Sequence, residues 1–446
     1  MTTIRIGLTG MSRAGKTVFL TSAIHNFTQH DGSQLDEFEQ TGWRYDGNPV
    51  PLVHSESEFP YQKHLDGLRQ TAVTWPAATR QVSEFAIELH LVSRGTARKK
   101  RECLLEFVDY PGERLVDVLL LNRRWDDWAE ETWVATESVE SAQAFRAQVQ
   151  QLLERGDAGI EELFPAVQQA FGKYQQAELQ ANRPVAAPVG PVLETADGQP
   201  VEPPFFPIPS SAWNSHPSLV RRLRLAYDRY VNKDVFPFFQ QIASCDQQIV
   251  LVDILDILQR GSKRHRDVQQ QLHGVLHAFR CLQLGPLRRN FGWLVGLQRR
   301  SLHRVQFCAT KADQATFDDR SHLASLLKQL VLKAHAALNY SNDLPFVSDY
   351  CCISALRTTI DLEVSTEAHP TPFQVIRGRL KQKPQDLSDK AIFPGRVPDQ
   401  WPTEDDWLRF QCPDFVPRKI PSINGPPLAH LGMDVVMYRM IEEVLK

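Results

Sequence analysis

The stretch Ile4–Ala23, IRIGLTGMSRAGKTVFLTSA, decides how this chain is read. Ile4, Ile6 and Leu8 alternate as in a strand, and Val18, Phe19 and Ala23 follow at helical spacing. Between them, Gly10 to Thr17 (GMSRAGKT) fits the pattern G-x-x-x-x-G-K-[ST]. A loop of this kind, closing a strand and opening a helix, turns its backbone N–H groups and the positive helix end onto phosphate oxygens. Ser12, Arg13, Ala14, Gly15 and Val18 line that cradle, and Gly15 permits close backbone approach. Lys16 is expected to reach β- and γ-phosphates, and Thr17 to ligate Mg²⁺.

Length and composition bound what surrounds the loop. At 446 residues the chain exceeds one typical core and calls for two units, or one unit with a large insertion. With 42% hydrophobic residues, 23% charged residues and a net charge of −3, no whole-chain field attracts nucleic acid or an anionic membrane. No window approaches the roughly 18 uninterrupted apolar residues of a membrane span. The N-terminus enters the first strand without a signal-peptide core, so the expected location is cytoplasmic. Seven cysteines, among them Cys103, Cys308, Cys351 and Cys352 in apolar runs, form no C-x-x-C and read as reduced core residues.

Strand-like runs recur at Ile4–Thr9, Glu84–Val92, Cys103–Asp109, Gln248–Ile254, Val305–Ala309 and Val347–Ile353, with helical segments between them. This alternation predicts an α/β fold with a mostly parallel sheet covered by helices on both faces. The basic link SRGTARKKR, Ser93–Arg101, suits a hairpin turn. Between Asp109 and Gln248 the spacing is too long for one crossover helix, and residues 115–183 carry helical apolar spacing rich in Ala, Glu, Gln and Leu. A proline-rich stretch, Pro184–Pro217, precedes a further helix over Leu219–Ile242 that Pro237 breaks. The expected organisation is a first part over 1–114, a helical insertion with its proline-rich loop over 115–245, and a second part over 246–446. That second part holds another proline-rich segment, Phe393–Pro427, and a final helix at Met433–Leu445.

Later strand ends supply the features that distinguish one nucleotide from another. The third strand runs into FVDYPGER, giving D-x-x-G from Asp109 to Gly112. Asp109 would hold Mg²⁺, mostly through water, and the Gly112 N–H would sense a γ-phosphate. The fifth strand ends in FCATKAD, which supplies Thr310, Lys311 and Asp313. A carboxylate at Asp313 accepts hydrogen bonds from guanine N1 and N2, whereas adenine presents an acceptor at N1 and satisfies nothing there. The Lys311 stem would lie along the base plane. After the sixth strand, Ser354, Ala355 and Leu356 would set a backbone N–H against guanine O6.

GMSRAGKT, DYPG, TKAD and SAL stand in the chain order of the Ras-like, translation-factor-related P-loop GTPases, and the chain resembles that class. With WPAAT, QQIVLVDIL and the terminal HLGMD, it further resembles the YcjX family of bacterial GTP-binding proteins over essentially its whole length. The resemblance implies a GTPase domain interrupted by a helical domain, GTP or GDP with Mg²⁺ as ligands, and an association with stress conditions. Thr310 stands where asparagine is commoner in the wider class.

Catalysis in such a protein needs a threonine ahead of the second strand. Of Thr71, Thr74 and Thr79, Thr79 follows a small extended Pro-Ala-Ala segment and is the choice for closing on Mg²⁺ and γ-phosphate. Glu113 occupies the place of the water-orienting glutamine of Ras-type enzymes, and its charge beside the γ-phosphate predicts slow intrinsic hydrolysis. Arg13 and Arg114 are the arginines near enough in sequence to offer transition-state charge, although a structural ion pair is the commoner use of each. The alternatives are a non-hydrolysing GTP-binding scaffold and a P-loop ATPase or kinase. The expected partners are guanine nucleotide and a protein effector or regulator, with no specific nucleic acid. Leu287–Arg304, LRRNFGWLVGLQRRSLHR, carries the less favoured expectation of a peripheral membrane contact.

Overall fold

Thr2–Gly10 forms β1, which becomes continuously buried from Ile6 onward because strands pair with it on both sides. Lys100–Asp109 (β5) lies parallel on one side with Leu8 opposite Asp109, and Gln247–Val252 (β6) lies parallel on the other with Gly10 opposite Leu251. The chain is described here from a computed structural model, which covers residues 1–11, 14–28, 42–46, 50–52, 59–69, 82–94, 98–110, 114, 117–118, 120–121, 123–180, 204–283, 302–336, 346–366, 369–381, 388–403, 406–407, 413–417 and 428–446.

Among these residues the main sheet runs in the order β2 (Trp43–Tyr45), β4 (Ser83–Ser93), β5, β1, β6, β7 (Arg304–Ala309), β8 (Val347–Cys352), with β3 (Val50–Leu52) also pairing with β4. β4 is antiparallel to β5 through the basic link, and the strands from β5 to β8 are parallel. Every residue of β6 and β7 is buried, which suits the continuous apolar runs IVLV and FCA at their carboxyl ends. Connections leave β1 toward β5 and later resume on its other side at β6. The reversal beside β1 leaves a crevice at the carboxyl ends of the strands, where open α/β sheets bind ligands. Met433–Leu445 (α11) buries Met433, Val436, Met437, Met440, Ile441 and Val444, one stripe of a helix. Gln247 and Gln306 donate from β6 and β7 to its Met440 and Val436 carbonyls, at 3.1 and 3.4 Å.

The fold is α/β with a largely parallel central sheet, and each of the six expected strands is present. Sequence reading missed β2 and β3, which at three residues each are too short to show a period. It also missed a separate antiparallel sheet of β9 (Thr359–Thr366), β10 (His369–Gly378) and β11 (Lys390–Ile392). The signal existed: in TIDLEVST, Ile360, Leu362 and Val364 alternate with acids.

The chain divides into two compact units, one of residues 1–112, 245–266 and 300–446, the other of 113–244 and 267–299. The second contains α3 (Trp125–Ala135), α4 (Gln143–Arg155), α5 (Ile160–Gln180), α6 (Pro217–Tyr230) and α7 (Phe236–Ala243). Its core is aromatic: Trp128 packs on Phe205 and Tyr227 at ring separations of 5.2 and 5.7 Å, and Phe164 packs on Phe206 at 4.9 Å. Phe205, Phe206 and Ile208 come from PFFPIP, so this end of the proline-rich stretch is a core-filling segment held extended by its prolines. The break expected at Pro237 is a π-helical turn, Val231–Val235, in which Phe236 N–H donates to Val231 O, and Pro237, which has no N–H, follows it at the start of α7 within a continuous helical run. No helix among the described residues is long and apolar enough to cross a membrane.

Candidate functional site

β1 ends at Gly10, and α1 (Lys16–Thr28) begins six residues later. A Cβ on Gly10 would meet the Leu251 carbonyl oxygen at 2.8 Å, so only glycine lets β6 close against the start of the loop. Gly15 has open space around it but a φ of +89°, which side chains rarely adopt. The loop is tied down by Met11 N–H donating to Leu251 O at 3.2 Å and Ala14 N–H donating to Met11 O at 3.0 Å. Helix α1 opens with Phe19 N–H donating to Gly15 O at 2.8 Å. Lys16 is buried, and its Nζ donates to the Gly10 carbonyl at 3.2 Å, folding over the loop it starts from. Thr17 is buried beside it, and Val18 is half-buried on the same turn.

Asp109 ends β5 fully buried in register with Leu8, and the next residue, Tyr110, donates its N–H to Leu8 O at 3.3 Å. The Tyr110 hydroxyl donates to Gln248 Oε1 at 2.5 Å, joining the strands on either side of β1. Burial pushes that phenol well above its ordinary range, with the Cys245 thiol and the Asp109 carboxylate adding to the shift, so it stays a donor. Thr17 and Asp109 supply hard oxygen atoms suited to Mg²⁺, and the buried ammonium of Lys16 suits phosphate oxygen.

The β7 and β8 ends form a second cluster. Thr310, buried, donates its N–H to Val252 O at 2.9 Å. Lys311 adopts the left-handed conformation, φ 60°, and its Nζ lies 2.5 Å from Asp253 Oδ2. The carboxylate of Asp253 beside it holds the ammonium above its ordinary range, with burial opposing. Asp253 also caps α8 (Ile254–Arg260), its Oδ1 accepting from Asp256 N–H at 2.9 Å. Asp313 is buried, and its Oδ2 accepts from Thr358 N–H at 2.6 Å, the Thr358 hydroxyl at 2.8 Å and Thr359 N–H at 3.2 Å.

Two expectations need refining. Asp313 is not an open carboxylate, because Oδ2 is saturated by the Thr358–Thr359 turn, leaving Oδ1 as the oxygen for a further ligand. The Ser354 N–H is also taken: it donates to Leu431 O at 2.8 Å, and Leu431 N–H returns to Ser354 O at 2.8 Å. Of the S-A-L stretch, the Ser354 N–H is therefore engaged within the fold. Asp253, Thr358 and Thr359 were missed by sequence reading. An aspartate at a strand-to-helix junction was the available signal for Asp253, whereas no spacing rule links Thr358 to Asp313.

Ser12, Arg13, Thr71, Thr74, Thr79, Gly112 and Glu113 lie outside the described residues, as does Leu287–Ser301 of the expected membrane-contact segment. Arg114 is described, and its guanidinium lies over the Phe238 ring, 4.8 Å from the centroid, which is a structural use. Asp117, near it, accepts from the Tyr230 hydroxyl at 2.9 Å. Burial raises the Asp117 carboxyl to about 7, against the pull of the Arg114 charge and the Tyr230 hydrogen bond.

A parallel sheet with a glycine-shaped strand–loop–helix turn and a buried lysine over the loop defines a P-loop-type α/β protein. The sequence model of the YcjX-like family, DUF463, matches residues 4–445, and the chain belongs to that family. Relatives include the "Ras-like GTPase YcjX" of Shewanella oneidensis, 27% identical over 99% of this chain and 95% of the relative. The protein of the same name from Escherichia coli is 24% identical over 99% of this chain and 96% of the relative.

Proposed function

We propose that the chain binds guanine nucleotide with Mg²⁺ and hydrolyses GTP slowly as a molecular switch. The observation that carries the reading is the pairing of a P-loop-type turn after β1 with a clamped carboxylate, Asp313, after β7 at the carboxyl edge of one sheet. The name of the relatives, Ras-like GTPase, supports the same reading. In this assignment the N–H groups from Ser12 to Val18 cradle the phosphates and Lys16 turns from Gly10 O to phosphate oxygen. Thr17 and Thr79, with Asp109 largely through water, hold Mg²⁺, which when bound would neutralise charge building on the phosphate oxygens. Asp313 Oδ1 accepts from guanine N1 and N2, Lys311 lies along the base, and Ala355 or Leu356 N–H faces O6. The Gly112 N–H senses the γ-phosphate, and Glu113 orients or accepts a proton from water. Arg13 is the remaining candidate for transition-state charge, since Arg114 is engaged with Phe238.

The compact unit of residues 113–244 and 267–299 begins directly after D-x-x-G, which supports a helical insertion over 115–245 that reports nucleotide state to a protein effector. A cytoplasmic location and a link to stress conditions complete the proposal. A competition titration of GTP against ATP tests its core. GTP should displace a bound fluorescent guanine nucleotide at a concentration about 10²-fold lower than ATP or better, because adenine N1 is an acceptor and offers Asp313 Oδ1 no hydrogen bond. Lys16→Ala should abolish tight binding without unfolding the chain. Equal competition by ATP, or undiminished binding by Lys16→Ala, overturns the assignment.

A further inference from the structure

Cys308 and Cys351 are register partners on the adjacent parallel strands β7 and β8. Their sulfurs lie 3.4 Å apart, with the Cys351 thiol directed at Cys308 Sγ. Partners on neighbouring strands have Cα atoms about 4.8 Å apart, within the span a disulfide bridges. The two thiols differ in access. Cys308 is wholly buried, whereas Cys351 is half-buried on β8, which ends the sheet on that side among the described residues and whose residues are all partly open. The hydrogen bond from Cys351, with burial, pushes the Cys308 thiol well above its ordinary range, so Cys308 stays a thiol and is not the first of the pair to meet an oxidant.

The geometry points to Cys308 and Cys351 as a reversible disulfide site, with Cys351 the thiol that meets a hydroperoxide oxidant and Cys308 the resolving thiol. The Cys351 sulfur attacks the terminal peroxide oxygen, the O–O bond breaks, and with hydrogen peroxide one water leaves a sulfenic acid on Cys351. The Cys308 sulfur then attacks the Cys351 sulfur, the S–O bond breaks, and hydroxide departs with the Cys308 proton as a second water. Two thiols and one hydrogen peroxide thus yield one disulfide and two waters, and a dithiol reductant restores both thiols.

The bridge would sit where it matters for the pocket, a consequence that rests on the guanine-nucleotide reading above. Cys308 is two residues before Thr310, and Cys351 is three before Ser354. The strand ends beyond them are laced together by Ile353 N–H to Ala309 O at 2.7 Å and Ala312 N–H to Ile353 O at 3.0 Å. Closing the sulfurs from 3.4 Å to the roughly 2.05 Å of a disulfide rotates both side chains and ties β7 covalently to β8 at the root of both base-facing loops.

The test treats the full-length protein with hydrogen peroxide, maps peptides without reduction, and measures GDP affinity before oxidation, after it, and after dithiothreitol. The expected result is a Cys308–Cys351 linked peptide, retained in Cys352→Ser and absent in Cys351→Ala, with at least a threefold loss of GDP affinity that dithiothreitol reverses. Absence of that peptide from oxidised wild type, or a bridge through Cys352 instead, overturns the site. A mapped bridge with unchanged affinity overturns its coupling to the pocket. If the reduced protein binds no guanine nucleotide, the functional reading fails, while the peptide map still decides the disulfide.

Discussion

Replacing Asp253 with asparagine removes the charge opposite Lys311 but leaves an oxygen to cap α8, since asparagine caps helices as well as aspartate does. The pair is close, 2.5 Å, and unequal in exposure: the Asp253 side chain is 8% exposed and that of Lys311 35%. Exposed pairs contribute about 0.2–1 kcal/mol, and breaking a buried pair costs about 3–5 kcal/mol. One buried partner and one partly solvated partner place this coupling at about 1–2 kcal/mol. The pair also opposes the cost, about 1 kcal/mol, of holding a non-glycine residue left-handed at Lys311. A double-mutant cycle of Asp253→Asn, Lys311→Met and the double variant, measured by urea unfolding, should return that coupling. Asp253→Ala should lose about 1 kcal/mol more than Asp253→Asn, because it also abandons the Asp256 N–H. In a fluorescent-GDP titration, Asp253→Asn should weaken affinity about 5- to 30-fold if Lys311 must lie along the base. A coupling below about 0.3 kcal/mol would refute the structural argument, and unchanged GDP affinity would refute the role given to Lys311.

Further predictions concern catalysis and pH. Thr79→Ala should slow single-turnover hydrolysis sharply while sparing GDP affinity, since GDP lacks the phosphate that Thr79 is proposed to sense; intact hydrolysis removes Thr79 from the switch. Glu113→Gln should hold or raise the rate if Glu113 acts by position, and lower it about 10²- to 10⁴-fold if it accepts the proton. Asp117, whose folded carboxyl sits at about 7 against an ordinary 3.8, keeps its proton when the unfolded chain has lost it, so its contribution to stability declines as pH rises from about 4 to 7. Asp117→Asn still accepts from Tyr230 and should be the more stable protein at pH 8, by at most about 4 kcal/mol; a less stable variant would mean the Arg114 charge dominates. His265, packed on Trp401 and Trp407 at 4.5 and 5.5 Å, acts oppositely. Burial, with Lys333 and Arg266 nearby, lowers its imidazole to about 4 from 6.5. Stability present above pH 6.5 is therefore lost as pH falls toward 4, and His265→Phe, which keeps the stacking, should flatten that loss in urea titrations at successive pH values.

Local chemistry was enough to read the parts whose determinants are adjacent in the chain. The loop Gly10–Thr17 was legible because a strand, a glycine with positive φ, a lysine and a helix start all lie within twenty residues. The six principal strands were legible from apolar runs such as IVLV in β6 and from apolar alternation as in β4, and the terminal helix because its apolar stripe repeats at helical spacing. Even Asp313 was legible as a strand-end carboxylate, but its state was not. Three donors from residues 45 and 46 positions onward saturate one of its oxygens. Asp253, 58 residues before Lys311, is likewise joined to it only because β6 and β7 are neighbours in the sheet. The Ser354 N–H is spent on Leu431, and the Cys308 and Cys351 sulfurs face each other through strand register. Sequence patterns report which residues are chemically able to act and which faces they occupy. Which hydrogen-bonding groups are already spent, and which remain for a ligand, is set by contacts between distant segments, and these exist only once the sheet has assembled.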